Sequence, residues 1–133
     1  MNLGEFLRAR LDEDEQAARA ATAGPWYVDD IDQELRTADV YAADGRVTSA
    51  YTEPCCSVED ATHMARHDPA RVLVEVESKR GILRSHYDYK GYCPRCHDWQ
   101  NTPVEREAYP CEVVRLLALP YADHPDYRQE WRP

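Results

Sequence analysis

Three cysteines and one histidine in the second half of the chain have the residue types and spacing of a zinc site: His86, Cys93, Cys96 and Cys111. Only Pro94 and Arg95 separate Cys93 from Cys96, on a turn that follows Gly91, which is the spacing of a zinc knuckle. Zn²⁺ takes four soft or borderline ligands in a tetrahedron. A Cys₃His set fills every position and leaves none for substrate, so the expected metal is a structural zinc. The fourth ligand has a rival, because His97 directly follows Cys96. Adjacent residues seldom both reach one ion in a tight knuckle, which favours His86. Cys111 stands where a helix is expected to start, and the helix dipole there favours a thiolate. A treble-clef finger would carry a second cysteine at position 114, and that residue is Val114.

Other constellations point elsewhere and are weaker. Cys93-Pro-Arg-Cys96-His97 fits a covalent haem attachment, but that chemistry needs export, and Met1-Asn-Leu-Gly-Glu-Phe lacks the basic and apolar regions of a signal peptide. A thioredoxin-like redox pair should open a helix, whereas Asp-Trp-Gln-Asn-Thr-Pro follows here. His63 and His67 are four apart and share a predicted helix face. Met64 stands where a zincin motif requires Glu, and histidines near a helix C-terminus commonly cap carbonyls. Cys55 or Cys56 with His67 and Asp68 would supply a nucleophile, a base and an orienting group. Small buried thiols are the commoner fate of such cysteines.

The elements that must position these residues read as α+β. Leu3, Phe6, Leu7 and Leu11, continued by Ala17, Ala18 and Ala21, give an amphipathic helix over 3–21, stopped by Gly24-Pro25. Its alanine end is narrow, and Trp26 is the nearest bulky group to cover it. Trp26 to Val28, Glu34 to Tyr41 and Arg46 to Tyr51 read as three strands in meander order within 26–51, with Asp44-Gly45 as a hairpin turn. Ser57-Val-Glu-Asp60 resembles a capping box and starts a short helix through Arg66. Asp68-Pro69 starts a second long helix over 69–86, with Val72, Leu73, Val76, Ile82 and Leu83 apolar and His86 in its last turn. A zinc loop over 86–111, a short helix from Cys111 to about Leu119 and an aromatic tail to residue 133 complete a single domain. The expected architecture is two long amphipathic helices on a small three-stranded antiparallel sheet, with a C-terminal zinc-knuckle loop and an extended aromatic tail. Tyr121, Tyr127 and Trp131 give that tail enough apolar area to pack on the helices of its own chain or of a second copy.

The length of 133 residues suits one domain with one core. Mean hydropathy is −0.75 although 43% of residues are hydrophobic, so apolar residues are confined to short patterned stretches. No stretch approaches a membrane span. The net charge of −9 lies entirely within residues 1–60, since residues 61–133 sum to zero. An acidic half repels phosphate, which argues against direct nucleic-acid binding. The expected compartment is the cytoplasm, where thiols stay reduced.

Several phrases carry a resemblance. Phe6-Leu-Arg-Ala-Arg-Leu-Asp-Glu-Asp-Glu15, Gly24-Pro-Trp26, His63-Met-Ala-Arg-His-Asp-Pro-Ala-Arg-Val-Leu73 and the stretch from Leu116 to Trp131 resemble the uncharacterised actinobacterial and phage-associated domain of unknown function 6221. The Gly24-Pro-Trp26 to Pro69 region is also similar, more faintly, to Ea22-like early proteins of phages. Neither resemblance implies an activity, a substrate or a catalytic residue; both imply a phage or mobile-element setting. The resulting expectation is a small zinc-stabilised interaction or accessory protein with an unidentified protein partner, a second copy of the chain included. The alternative is an acidic inhibitor or DNA mimic that presents its carboxylates to a basic protein site. An enzyme using Cys55 or Cys56 with His63 or His67 ranks last, and no catalytic residue is assigned.

Overall fold

Reciprocal bonds at the N-terminus begin the first helix. The Glu5 amide donates to Asn2 Oδ1 at 2.9 Å, and the Asn2 amide donates to Glu5 Oε2 at 2.8 Å, which is a capping box. Helix α1 then runs Leu3–Ala20 in this computed structural model, which describes residues 1–48, 56–96 and 108–133. The remaining elements are strands β1 (Tyr27–Asp32), β2 (Thr37–Ala42), β3 (Gly45–Arg46) and β4 (Cys56–Ser57), and helices α2 (Val58–Arg66), α3 (Pro69–Ser85) and α4 (Glu112–Ala118). Four helices and a small antiparallel sheet make the chain α+β. Contacts divide it into two compact units: residues 14–76, and residues 1–13 with 77–133. No helix among the described residues is long and apolar enough to cross a membrane.

In the unit of residues 14–76, β2 is the central strand. It pairs with β1 along one edge and with both β3 and β4 along the other. The sheet therefore has four strands where three are expected from sequence. The end of the third expected strand, 49–51, lies outside the described residues. The first hairpin also turns at a different place. Asp32 Oδ1 accepts from the Glu34 and Leu35 amides, both at 2.9 Å, so the chain turns at 33–36 and the extended run predicted from Glu34 starts at Thr37. Asp turns the chain this way by bonding its own downstream backbone, so no Gly is needed. One extra residue in β1 between Asp29 and Asp32 makes a bulge, with Asp30 at φ 52°.

Ala38, Val40 and Ala61 are fully buried at the centre of this unit, with Trp26, Val28, Val58 and Met64 packed around them. Ala61 belongs to α2, so it is this nine-residue helix that covers the sheet, not one of the two long helices. Ser57 caps α2 as its sequence predicts, accepting from the Asp60 amide at 3.1 Å. Asp68 does two things at once. Oδ1 caps α3 through the Arg71 amide at 2.8 Å, and Oδ2 accepts from the Trp26 amide at 2.8 Å. Trp26 lines an open cleft with Ala17, Ala18 and Ala21, as the narrow alanine end suggests.

In the other unit, Leu3, Phe6, Leu7 and Leu11 bury one face of α1, together with Leu83, Val114 and Ala118. Helix α3 is less amphipathic than its sequence suggests. Val76 and Leu83, seven apart, are buried, whereas Val74 and Ile82 are exposed. The C-terminal tail is ordered by packing but is not extended. It folds into short 3₁₀ turns at Leu119–Tyr121 and Gln129–Trp131. Tyr127 and Trp131 are buried, with ring centroids 5.8 and 5.3 Å from that of Phe6. Aromatic rings hold an arm in this way because each buries a large apolar area and edge contacts add to it. His124 Nδ1 lies 3.2 Å from an Arg10 guanidinium nitrogen, and Arg10 is tied to Glu13 at 2.6 Å.

Candidate metal centre

Four elements bring the predicted ligands together. His86 follows the last turn of α3, where its amide still donates to the Ile82 carbonyl at 3.0 Å. The chain then makes a hairpin. Lys90 and Gly91 both have positive φ, 53° and 88°, the backbone of a type I′ turn, and Tyr89 pairs with Tyr92 across it. The Asp88 carboxylate fixes this turn by accepting from the Gly91 amide at 2.7 Å. The hairpin delivers Cys93 and the turn that carries Cys96. On the far side Tyr92 pairs with Ala108, and the Tyr109 amide donates to Gly91 at 3.0 Å. That second anchor places Cys111 at the N-cap of α4.

The His86 imidazole stands over all three sulfurs. Nδ1 is 3.5 Å from Cys93 Sγ, 3.4 Å from Cys96 Sγ and 3.5 Å from Cys111 Sγ. The four ligand atoms lie within 4.8 Å of one another, an arrangement that can hold a metal ion. Cys93 and Cys111 are fully buried, Cys96 and His86 half-buried, and all three cysteines are free thiols. Burial pushes the Cys96 thiol far above its usual range, and the neighbouring sulfurs of Cys93 and Cys111 push it further. Burial raises Cys111 too, opposed by the Val114 amide. Three sulfurs this close cannot all ionise on their own, because each thiolate repels the next and none is well hydrated. A cation among them reverses that balance. Burial likewise raises the Tyr109 hydroxyl, while the Arg8 guanidinium pulls it down.

The structure thus assembles all four predicted ligands, and it assembles them with His86. The rival His97 lies outside the described residues, as does Cys55. Val114, where a treble-clef finger would have cysteine, is fully buried in the core. Among the described residues the other constellations are engaged differently. Cys56 is disulfide-bonded, which corrects the expectation of reduced thiols throughout and leaves its sulfur unavailable as a nucleophile. His63 and His67 stack with ring centroids 4.4 Å apart, and His67 Nδ1 is 3.0 Å from the His63 carbonyl, the capping role their position suggests.

The acidic segments are largely engaged within the chain. Asp12 pairs with Arg80 at 2.6 Å, Glu13 with Arg10 at 2.6 Å and Glu15 with Arg19 at 2.7 Å. Asp30 accepts from the Tyr41 hydroxyl and pairs with Arg46 at 3.3 Å. Asp39, fully buried in β2, accepts from the Thr48 hydroxyl at 2.8 Å. Sequence gave no signal for this last group. A buried aspartate within Thr37–Ala42 is recognisable only after the strand is placed.

The chain matches the family of unknown function DUF6221 over residues 1–133, and it belongs to that family. No curated protein and no solved structure shows significant similarity to it.

Proposed function

We propose that this member of DUF6221 is a small zinc-stapled interaction or accessory protein, with Zn²⁺ held by His86, Cys93, Cys96 and Cys111 in a closed structural site. One observation carries the reading: the three Nδ1···Sγ distances of 3.4–3.5 Å. A tetrahedral zinc with bonds of about 2.05 Å to nitrogen and about 2.3 Å to sulfur has N···S edges of about 3.6 Å. Soft thiolate donors with one imidazole favour zinc over the hard cations magnesium and calcium. Four protein ligands leave no position for an activated water, which supports a staple over a catalyst.

The partner is a protein surface, and the setting is a phage or mobile element. The inhibitor or mimic reading is supported less, because it needs carboxylates presented outward and many of these are tied into ion pairs or turns. We place the protein in the cytoplasm on the strength of three reduced thiols at the cluster. The Cys56 disulfide is the observation against it, and a free-thiol count on protein from the native host decides between them.

Elemental analysis of protein purified without chelator tests the centre. About one zinc per chain is expected, and none in Cys96→Ser. Protein without zinc, or an absorption spectrum showing a water-ligated cobalt substitute, would overturn the closed-site reading.

A further inference from the structure

We infer that a cleft between the second and third turns of α1 and the last turns of α3 binds a phosphate-type oxyanion. Arg8, Asp12, Arg80, Leu83 and Arg84 line it, and its volume is about 240 Å³. All five residues belong to the unit of residues 1–13 and 77–133. Three arginines lining one small cavity are unexpected in a chain of net charge −9. Arg80 and Arg84 are four apart on one helix, a spacing at which like charges repel. Helix α3 accepts this repulsion beside Gly81, the weakest helix former available short of proline. A side chain at Gly81 would meet only the Arg84 guanidinium, at 3.7 Å. Arg84 therefore lies back along its own helix toward Gly81 and the cleft.

The charges are not equally available. Arg80 is held by Asp12 at 2.6 Å and by Glu77 at 2.9 Å. Among the described residues no carboxylate pairs with Arg8 or Arg84. The cleft is thus lined by two arginines without a carboxylate partner among the described residues, beside one that is already paired. Their natural complement is a dianion. The guanidinium fork matches the oxygens of a phosphate with paired, charge-assisted hydrogen bonds. Leu83, 4% exposed, adds an apolar side chain to the lining. The volume suits a mono- or diphosphate and falls below the roughly 300–1,000 Å³ of sites for larger ligands. The ligand is free phosphate, pyrophosphate or the phosphate end of a small ester.

Calorimetric titration of the full, metal-loaded chain tests this. The probes are inorganic phosphate, pyrophosphate and phenyl phosphate, with succinate and chloride as controls at constant ionic strength. Saturable one-to-one binding of at least one phosphate species with Kd below about 1 mM is expected, and none of the controls. Whether phosphate or phenyl phosphate binds more tightly separates a free anion from an ester. Arg8→Gln and Arg84→Gln should each weaken binding about tenfold or more, with unchanged circular dichroism. Asp12→Asn removes the carboxylate that lines the cleft, leaving Arg80 with Glu77, and should tighten binding about three- to tenfold, which no loss of structure would mimic. The assignment is overturned if no phosphate species binds. It is overturned equally if succinate or chloride binds as well, or if both arginine variants bind like the parent.

Discussion

The two compact units solve the same problem with different means. Residues 14–76 bury a centre of small side chains, Ala38, Val40 and Ala61, and surround it with backbone pairing and caps. Residues 1–13 with 77–133 bury large ones, among them Leu3, Phe6, Leu7, Leu11 and Trp131, and add a cluster of one histidine and three cysteines that can hold a metal ion. The first unit has regular secondary structure through most of its described length. The second contains a hairpin loop and a chain terminus, segments that fray unless something ties them down. Irregular backbone therefore coincides with the strongest local fastenings, a ligand cluster for the loop and an aromatic cluster for the tail.

Removing the metal should expose this contrast most sharply. A closed zinc site contributes several kcal/mol to the fold of its loop. Chelation should abolish hydrogen-exchange protection at Tyr89, Tyr92 and Tyr109, whose amides bond across the loop. Protection of the Val40 and Val47 amides in the sheet should stay. Loss of most far-UV circular dichroism on chelation would erase the distinction between the units. Next in size is Trp131→Ala. Truncating a buried Trp costs about 3–5 kcal/mol, so a large fall in Tm is expected. An unchanged Tm would show that the aromatic arm contributes nothing to stability.

In the sheet-bearing unit the sharpest single lever is Asp68→Ala. It removes the cap of α3 and the acceptor of the Trp26 amide together, and should cost about 1–2 kcal/mol. Trp26 fluorescence should shift with it while zinc content does not. A loss of zinc in that variant would refute the separation. The smallest effect is a matter of sign. Without metal, the thiols of Cys96 and Cys111 are raised above their unfolded values. A raised group stabilises the fold below its unfolded pKa of about 8.5, and that contribution is lost as pH rises. Metal-free protein should therefore become less stable from about pH 8.5 upward. Loaded protein should lose stability toward acid instead, as protons displace the ion. Urea midpoints across pH should slope in opposite directions for the two forms, and parallel slopes would contradict this account of the cluster.

Local chemistry made much of this legible in advance. Ser57 and Asp68 announce their helices because a short acceptor before an apolar run has few other uses. The clustering of His86 with Cys93, Cys96 and Cys111 was legible because three cysteines with one two-residue gap leave few geometric alternatives. Tertiary choices were harder to read. Nothing in Thr37–Ala42 says that β2 takes partners on both edges, and nothing in α2 says that nine residues cover the sheet in place of a longer helix. The second strand reads from sequence as starting at Glu34, three residues early, because the turn's signal is a carboxylate bonding downstream amides. The tail advertised its aromatics but not its 3₁₀ turns, since short turns follow from what the rings pack against.

The double anchor of the metal loop has a consequence for how the sequence can change. Cys96 opens a span that closes again at Ala108, where pairing with Tyr92 and the Tyr109 bond to Gly91 fasten the returning strand. A one-residue insertion or deletion between Gly91 and Cys93, or between Tyr109 and Cys111, would shift a sulfur against that anchor. The same change between Cys93 and Cys96 would pull two sulfurs apart. The segments 86–96 and 108–111 are thus where chain length is held fixed by the positions of the three sulfurs and the His86 ring.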